Sequence, residues 1–360
     1  MPKNNPLDGL RSRIDRLDDE ILKLLNERAR AALKIGAEKA RRKEEVYAST
    51  REQQILERME AANKGPLSPE AVEEVFRTVI NNCRLLQKNL VIAYFGPEAT
   101  FTHQAAMKHF GRAAEYRPLR TISDVFDEVE KGRADYGLVP IENSTEGMVN
   151  HTLDMFMESD LVICAERQDP ISQCLMASQP SLPKIKTVFS YSNALGQCRR
   201  WLEKNLPGAS LKEAASTADA AAQAALHIDA AAVAGPLAAE LYHLKLLAID
   251  IQDAKDNRTR FLVIGRKASA SSGTGRDKTS LLLSVKDRVG ALHQLLGVFK
   301  TEGLNLTKIE SRPTKKKAWE YVFFVDLQGH ASDPAVQRAL KGIAEHCVFV
   351  KVLGSYPRGD

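Results

Sequence analysis

KDNRTRFLVIG, residues 255–265, falls into two unlike halves. Phe261, Leu262, Val263 and Ile264 form a short apolar run closed by Gly265, the pattern of a buried strand. Asn257, Arg258, Thr259 and Arg260 enter that strand as two cations around a hydroxyl. Taken alone, this entrance reads as a solvated turn. It also suits an α/β sheet, where ligand sites gather at strand ends. The neighbouring segments decide which reading applies.

Upstream, VIAYFG (91–96), DYGLVPIEN (135–143), LVICAER (161–167), CLMAS (174–178), KTVFSY (186–191) and AAVAG (231–235) repeat the short buried-strand pattern. Helical stretches are expected among them at 102–110, 193–204 and 218–226, and this alternation is the α/β signature. Polar clusters stand at four strand ends: Thr100-Phe101-Thr102, Glu142-Asn143-Ser144-Thr145, Ser190 through Gln197, and NRTR itself. Singly, each reads as a turn or a helix cap, with Thr102 and Asn193 as candidate N-caps. Four in one module point to a cleft.

The flanking regions have other textures. Residues 1–90 contain no strand-like run; Leu10, Ile14, Leu17, Ile21, Leu24 and Arg28 follow a 4-3 spacing, predicting one amphipathic helix as far as about Arg42. A second helix is expected at 49–62, and a third from Ser68-Pro69-Glu70, a serine cap with proline in the first turn. Three helices, one so long, cannot close a core alone, so an intertwined dimer is expected. Residues 267–277 (KASASSGTGRD) read as a flexible linker between an α/β domain at 91–266 and a last domain at 278–360. There, strand 279–286, helix 290–303, strands near 304–312 and 318–328, helix 333–346 and strand 347–356 give a ferredoxin-like βαββαβ order.

With 360 residues, two or three domains are expected. The net charge of +5 is modest, and basic runs such as 39–43 and Lys315 to Lys317 lack interleaved aromatics, which argues against a nucleic-acid surface. Cys83, Cys164, Cys174, Cys198 and Cys347 form no metal spacing and suit reduced thiols. No apolar leader opens the sequence, and the Ala-rich tract at 220–234 is too polar to span a membrane. A cytoplasmic protein without membrane contact is expected.

Arg28 lies on the apolar stripe of the first helix, with Lys39 about three turns further along the same face and Ala32 and Ile35 between them. Inward cations need anionic partners. Arg11 is rotated about 100° from Arg28 and would reach its pocket only from a dimer partner. With LRSRID, LLNERA, TREQQILER and CRLLQ, residues 7–88 resemble the all-helical, AroQ-type chorismate mutase domains. The resemblance implies Arg11 of the other subunit and Arg28 as a carboxylate clamp, with Lys39 and Gln87 at the substrate's ether oxygen. It also implies Glu52 at the ring hydroxyl, with Arg51 and Cys83 nearby. Ala48 departs from an Asp common in that family, so one secondary contact is missing. The reaction implied is a unimolecular rearrangement of chorismate to prephenate, which needs a held conformer and charge stabilisation but no nucleophile or metal.

AYFGPEATFTHQAA, YGLVPIENSTEG, VFSYSNALGQC and NRTRF carry a resemblance of residues 91–266 to the prephenate dehydratases. That family has two α/β lobes, similar to periplasmic binding proteins, with the active site in the cleft. The resemblance implies Thr259 as a proton-donating hydrogen-bonder with Arg260 and Phe261 beside it, Arg260 being available to pair with a substrate carboxylate, and Asn143, Ser190 and Gln197 in contact with substrate. Thr100, Ser144 and Thr145 are implied less directly. Loss of water and CO2 from prephenate needs a protonated leaving hydroxyl and a placed carboxylate, with no cofactor.

In the last domain, Gly290-Ala291-Leu292-His293 and Glu310-Ser311-Arg312-Pro313, with NLTKIESRP and WEYVFFVD, resemble the ACT domain of prephenate dehydratases. The resemblance implies L-phenylalanine binding at a subunit interface, and hence feedback inhibition. Together the three resemblances imply a bifunctional enzyme of phenylalanine biosynthesis, a dimer or tetramer. A non-catalytic amino-acid-binding regulator, and arogenate as the dehydrated substrate, stay open at this point.

Overall fold

The computed structural model describes residues 6–179, 181–286, 288–313 and 321–359; Lys315 to Lys317 and Trp319 lie outside them. The chain divides into two compact units, residues 1–90 and 91–360.

The first unit consists of α1 (Pro6–Arg42), α2 (Ser49–Ala62) and α3 (Pro69–Leu85). As expected, Ser68 caps α3, accepting the Ala71 N–H at 3.2 Å, with Pro69 in the first turn. Ala48 is the residue before α2 and offers it no side-chain cap. Only the C-terminal half of α1 reaches the small core, through Ala32 and Gly36. A Cβ at Gly36 would stand 2.7 Å from Gln87 Cγ, so glycine lets the α3 end lie against α1. Ile35 was expected on that inner face but is 54% exposed, because it turns away from the Ala32 direction by about 60°. Leu10, Ile14, Leu17, Ile21 and Leu24 are likewise exposed along α1.

The second unit opens with β1 (Val91–Phe95), β2 (Glu115–Leu119), β3 (Tyr136–Asn143), β4 (Gly147–Met148) and β5 (Val162–Pro170). A second sheet takes β6 (Cys174–Ala177), β7 (Thr187–Ser190), β8 (Ser210–Glu213), β9 (Ala230–Ala234) and β10 (Lys245–Ala248). The chain then returns to the first sheet as β11 (Arg258–Gly265), antiparallel to both β3 and β5. The strand orders are β2-β1-β3-β11-β5, with β4 on β3, and β10-β6-β9-β7-β8. Two lobes result, and the chain crosses between them twice, after β5 and before β11. The NRTR stretch lies at the second crossing.

Helices Ile122–Glu130 and Asn150–Glu158 cover the first lobe around Val125, Phe126 and Phe156. In the second lobe the expected helix at 193–204 is two, Ser192–Gln197 and Arg199–Asn205, broken at Cys198. The N-cap at the first lobe's opening helix is Thr100 and not Thr102, which is buried in the first turn. Ser192–Gln197 has no side-chain cap, and Asn193 points elsewhere.

The last module is β12 (Asp277–Val285), β13 (Leu306–Pro313), β14 (Tyr321–Gln328) and β15 (Cys347–Pro357), with helices Ala291–Thr301 and Pro334–Ala344. Its order, β13-β14-β12-β15, is the ferredoxin-like one. Leu281 and Leu283 face the module's own helices, whereas Leu282, Phe324, Leu353 and Tyr356 join the core of the first lobe. β12 is thus buried on both faces, which explains a strand without polar alternation. The expected flexible linker is pinned: Ser269 Oγ donates to Cys164 O at 2.8 Å, and Ser272 N–H to Asp277 Oδ2 at 2.9 Å. Its small polar residues spend their hydroxyls on local bonds.

Candidate functional site

In the helical unit, Lys39 Nζ donates to Glu45 O and Val46 O at 3.0 and 2.9 Å. Partial burial holds its pKa below the ordinary lysine value, and the charges of Glu44, Glu52 and Glu45 offset this only in part. Glu52 Oε1 accepts from Arg84 Nη1 at 2.6 Å, and Arg84 also donates to Asn81 and stacks on Tyr47. Lys39, Glu52, Gln87 and Cys83 therefore share one end of the unit, and Arg28, half-buried, stands three turns from Lys39 on the same helix face. Arg51 is exposed. Arg11 is exposed beside Asp8 and lies roughly 26 Å along α1 from Arg28. Arg84 was missed in the sequence because a cation in a charged helix reads as surface; only CRLLQ hinted at it.

At the crossing between lobes, Asn143 is the hub. Its Nδ2 donates to Thr259 Oγ1 at 2.8 Å and Asn257 Oδ1 at 2.8 Å, and its Oδ1 accepts from Thr145 Oγ1 at 2.6 Å. Asn257, 2% exposed, reaches into the second lobe and donates to Gln197 Oε1 at 3.2 Å. Ser144 Oγ is held by the Arg258 N–H and Asp256 O. Glu146 closes the circuit, accepting from Asn193 at 2.9 Å and Gln197 at 3.0 Å across the lobes. Glu146 and Asn257 went unnamed as site residues although both stand inside the quoted ENSTEG and NRTRF motifs.

These side chains border a cavity of about 430 Å³ whose wall includes Thr145, Glu146, Asn193, Gln197, Gln252 and Asn257. Thr259, 8% exposed, lies behind that wall, linked to it through Asn143 and Asn257. No arginine or lysine is among the described residues lining it.

Other sequence-predicted residues are placed elsewhere. Thr100 caps its helix, accepting the His103 N–H. Ser190 is fully buried and donates to Val233 O at 2.6 Å inside the second sheet. Phe261 is a core residue, 1% exposed. Arg260 points to the face opposite Thr259, as alternation along a strand dictates, and pairs with Glu166 and Asp326 at 2.7 Å each. It was expected at a substrate carboxylate; its guanidinium is instead taken up at the junction with the last module.

In that module Gly290 sits at φ +78° before the helix carrying Ala291, Leu292 and His293, a conformation suited to glycine. Ala291 is buried, while His293 is exposed. Glu310 is half-buried, and Ser311 and Pro313 are exposed. Arg312 is turned inward, donating to Asn150 O at 2.6 Å and pairing with Asp154 at 3.2 Å on the first lobe.

Fold and site together define a multidomain enzyme: a helical module with enclosed cations, a two-lobed unit with a polar cleft, and a ferredoxin-like module docked on one lobe. Family models match in the same order, chorismate mutase type II at 10–88, prephenate dehydratase at 92–269 and ACT domain at 279–345. A bifunctional chorismate mutase/prephenate dehydratase of Aquifex aeolicus is 51% identical, covering 98% of each chain. One from Pseudomonas aeruginosa is 42% identical over 99% of each. The solved prephenate dehydratase of Arthrobacter aurescens, in complex with L-Phe, is 37% identical with a TM-score of 0.69, covering 75% of this chain and 91% of that one. The chain belongs to the bifunctional chorismate mutase/prephenate dehydratase family, enzymes of aromatic amino-acid biosynthesis.

Proposed function

We propose that the helical unit rearranges chorismate to prephenate and that the two-lobed unit converts prephenate to phenylpyruvate, under feedback by L-phenylalanine at the last module. The observation that carries the dehydratase assignment is the hydrogen-bond circuit Thr259–Asn143–Asn257–Gln197 at the lobe crossing. Thr259 Oγ accepts from Asn143, which strengthens its O–H as a donor. It is the proton-donating hydrogen-bonder to the leaving hydroxyl, and loss of that hydroxyl with CO2 gives the aromatic ring. Purified protein supplied with chorismate should form prephenate and then phenylpyruvate, and L-phenylalanine should suppress the second step. Phenylalanine binding without phenylpyruvate formation would instead support a regulator.

The wall of amides suits the decarboxylation. A cation on the departing carboxylate would stabilise the ground state more than the transition state, whereas amide donors orient it without that penalty. Asn193 and Gln197 hold the Glu146 carboxylate here, and the same donors fit a substrate carboxylate when Glu146 withdraws. Gln197→Leu is expected to lower dehydratase kcat/KM about 10- to 100-fold, the worth of a hydrogen bond to a charged group. Steady-state kinetics with prephenate check this, and an unchanged kcat/KM would remove Gln197 from the site.

In the mutase unit, Arg28 and the partner's clamp hold the carboxylates, Lys39 and Gln87 face the breaking ether bond, and Glu52 faces the ring hydroxyl while paired to Arg84. The amines and amides stabilise negative charge as the C–O bond lengthens. Lys39 acts charged, and burial favours its neutral form. Mutase activity should therefore fall on the alkaline side at a pH below the ordinary lysine value, and Lys39→Arg should move that fall upward. A pH–rate profile of prephenate formation decides it; identical profiles would exclude Lys39 as the titrating group.

The dimer is supported by the exposed α1 stripe, and the effector site by the open glycine turn at Gly290 and the nearby His293. The reading of a cytosolic protein is supported by five buried cysteines that form no disulfide and by the finding that no described helix is long and apolar enough to cross a membrane.

A further inference from the structure

Two neighbouring rungs of the β3–β11 ladder face opposite ways. One is Thr259 opposite Asn143, the pair at the cleft; the next is Arg260 opposite Glu142. The second rung meets the ferredoxin-like module and finds there a rung of like construction, Lys308 of β13 opposite Asp326 of β14. Arg260 Nη1 lies 2.7 Å from Asp326 Oδ2, and Lys308 Nζ 2.5 Å from Glu142 Oε2. The two rungs are joined by two crossed ion pairs of opposite polarity.

The Arg260 end is the more deeply buried. Its Nε donates to Glu166 Oε2 at 2.7 Å, and Glu166 is also held by Lys278 at 2.6 Å and by the Gly359 N–H at 3.1 Å. Ser280 donates to Asp326 at 2.5 Å and meets Tyr356 Oη at 2.6 Å. Side chains of Arg260, Glu166, Asp326 and Lys278 are 11, 0, 9 and 9% exposed. Burying four charges is costly, and an apolar patch of equal volume would stabilise the junction at least as well. Such a cluster specifies one arrangement of the two sheets rather than adding stability. A cavity of about 430 Å³ borders it, lined also by Arg258 and Arg358, so the rungs have room to shift.

We infer that Arg260 and Glu142 are positioning residues, not substrate ligands, and that their ion pairs to Asp326 and Lys308 carry the state of the effector strand to Thr259 and Asn143. Lys308 stands two residues before Glu310 on β13, the strand that holds the Glu310–Pro313 motif. Glu142 and Arg260 are each one peptide from a member of the cleft pair. A shift of β13 against the lobe must therefore either break an ion pair or move the Thr259/Asn143 rung. The inference rests on the functional reading above, in which Thr259 serves the reaction and L-phenylalanine binds the last module.

The test uses the full chain and measures dehydratase kinetics with and without L-phenylalanine, and L-phenylalanine binding by calorimetry. Lys308→Met, at the less buried pair, and Asp326→Asn are the variants; thermal melting confirms that each is folded. Expected are retained L-phenylalanine binding, at least about fivefold weaker inhibition of kcat at saturating effector, and a lower uninhibited kcat in Asp326→Asn. Exchanging the pair, Glu142→Lys with Lys308→Glu, should restore inhibition lost in either single variant, which a purely structural role would not produce. Wild-type inhibition in both folded variants, or inhibition lost in the single variants and not restored by the exchange, overturns the inference. A wild type that binds L-phenylalanine without inhibition, or Thr259→Val with full dehydratase activity, overturns the functional reading itself; in the first case an unchanged kcat in Asp326→Asn also overturns the positioning role.

Discussion

Thr259→Val is expected to reduce phenylpyruvate formation from prephenate by about 10²- to 10⁴-fold, the usual worth of a positioned proton donor. Valine keeps the volume and the β-branched shape but removes the hydroxyl, so β11 keeps its packing between β3 and β5. What is lost is the acceptor of the Asn143 amide and the O–H that this bond strengthens. Asn143 keeps Asn257 as an acceptor, so the fold should lose only about 1–3 kcal/mol, readable in a thermal melt. Prephenate formation from chorismate should be unchanged, because the mutase residues belong to the other compact unit. Thr259→Ser should recover much of the rate, since it restores the donor. Retention of more than about a tenth of the dehydratase rate in a folded valine variant would deny Thr259 its role. Loss of both activities would deny that the two units work separately.

What the sequence disclosed followed the range of each signal. The end of α1, the span of α2 and the start of α3 were legible because a 4-3 apolar spacing sustained over α1, and a serine–proline cap at α3, are local and redundant. Helix Ile122–Glu130 was equally local, yet it was missed. Thr121 and Asp124 form a capping box, and that signal was available in TISD. The direction of Arg260 was half legible: alternation along β11 sets it opposite Thr259, but only the docking of a distant sheet supplies Glu166 and Asp326 as its partners. Arg312 repeats the lesson, since a cation in a motif read as a ligand site is spent on Asn150 and Asp154. Cross-lobe residues such as Asn257 and Glu146 acquire meaning only when two chain crossings bring distant turns together. Composition misled at residues 267–277, where small polar residues indicated slack but instead bind one another and β5.

The mutase site gives the other large effect, through a subunit argument. Arg11 and Arg28 lie roughly 26 Å apart along one straight helix and point about 100° apart, so one chain cannot close both on a small dicarboxylate. Leu10, Ile14, Leu17, Ile21 and Leu24 are each about half exposed or more along the same N-terminal stretch. Burying each against a second α1 contributes about 1.5–3 kcal/mol, which favours a pairing that delivers the partner's clamp. Arg11→Ala and Arg28→Ala should each lower mutase kcat/KM by at least about 10²-fold, the cost of removing one stabilising donor, and leave the dehydratase intact. Co-expressed with separate tags, the two variants form mixed dimers in which one site has both arginines and the other has neither. Random assortment makes half the dimers mixed, so about a quarter of wild-type mutase activity should return. Arg28→Ala co-expressed with Lys39→Ala should return nothing, because those two residues come from the same chain of each site. No recovery in the first mixture would deny that Arg11 reaches the site from the partner subunit, and recovery in the second would deny that Arg28 and Lys39 come from one chain.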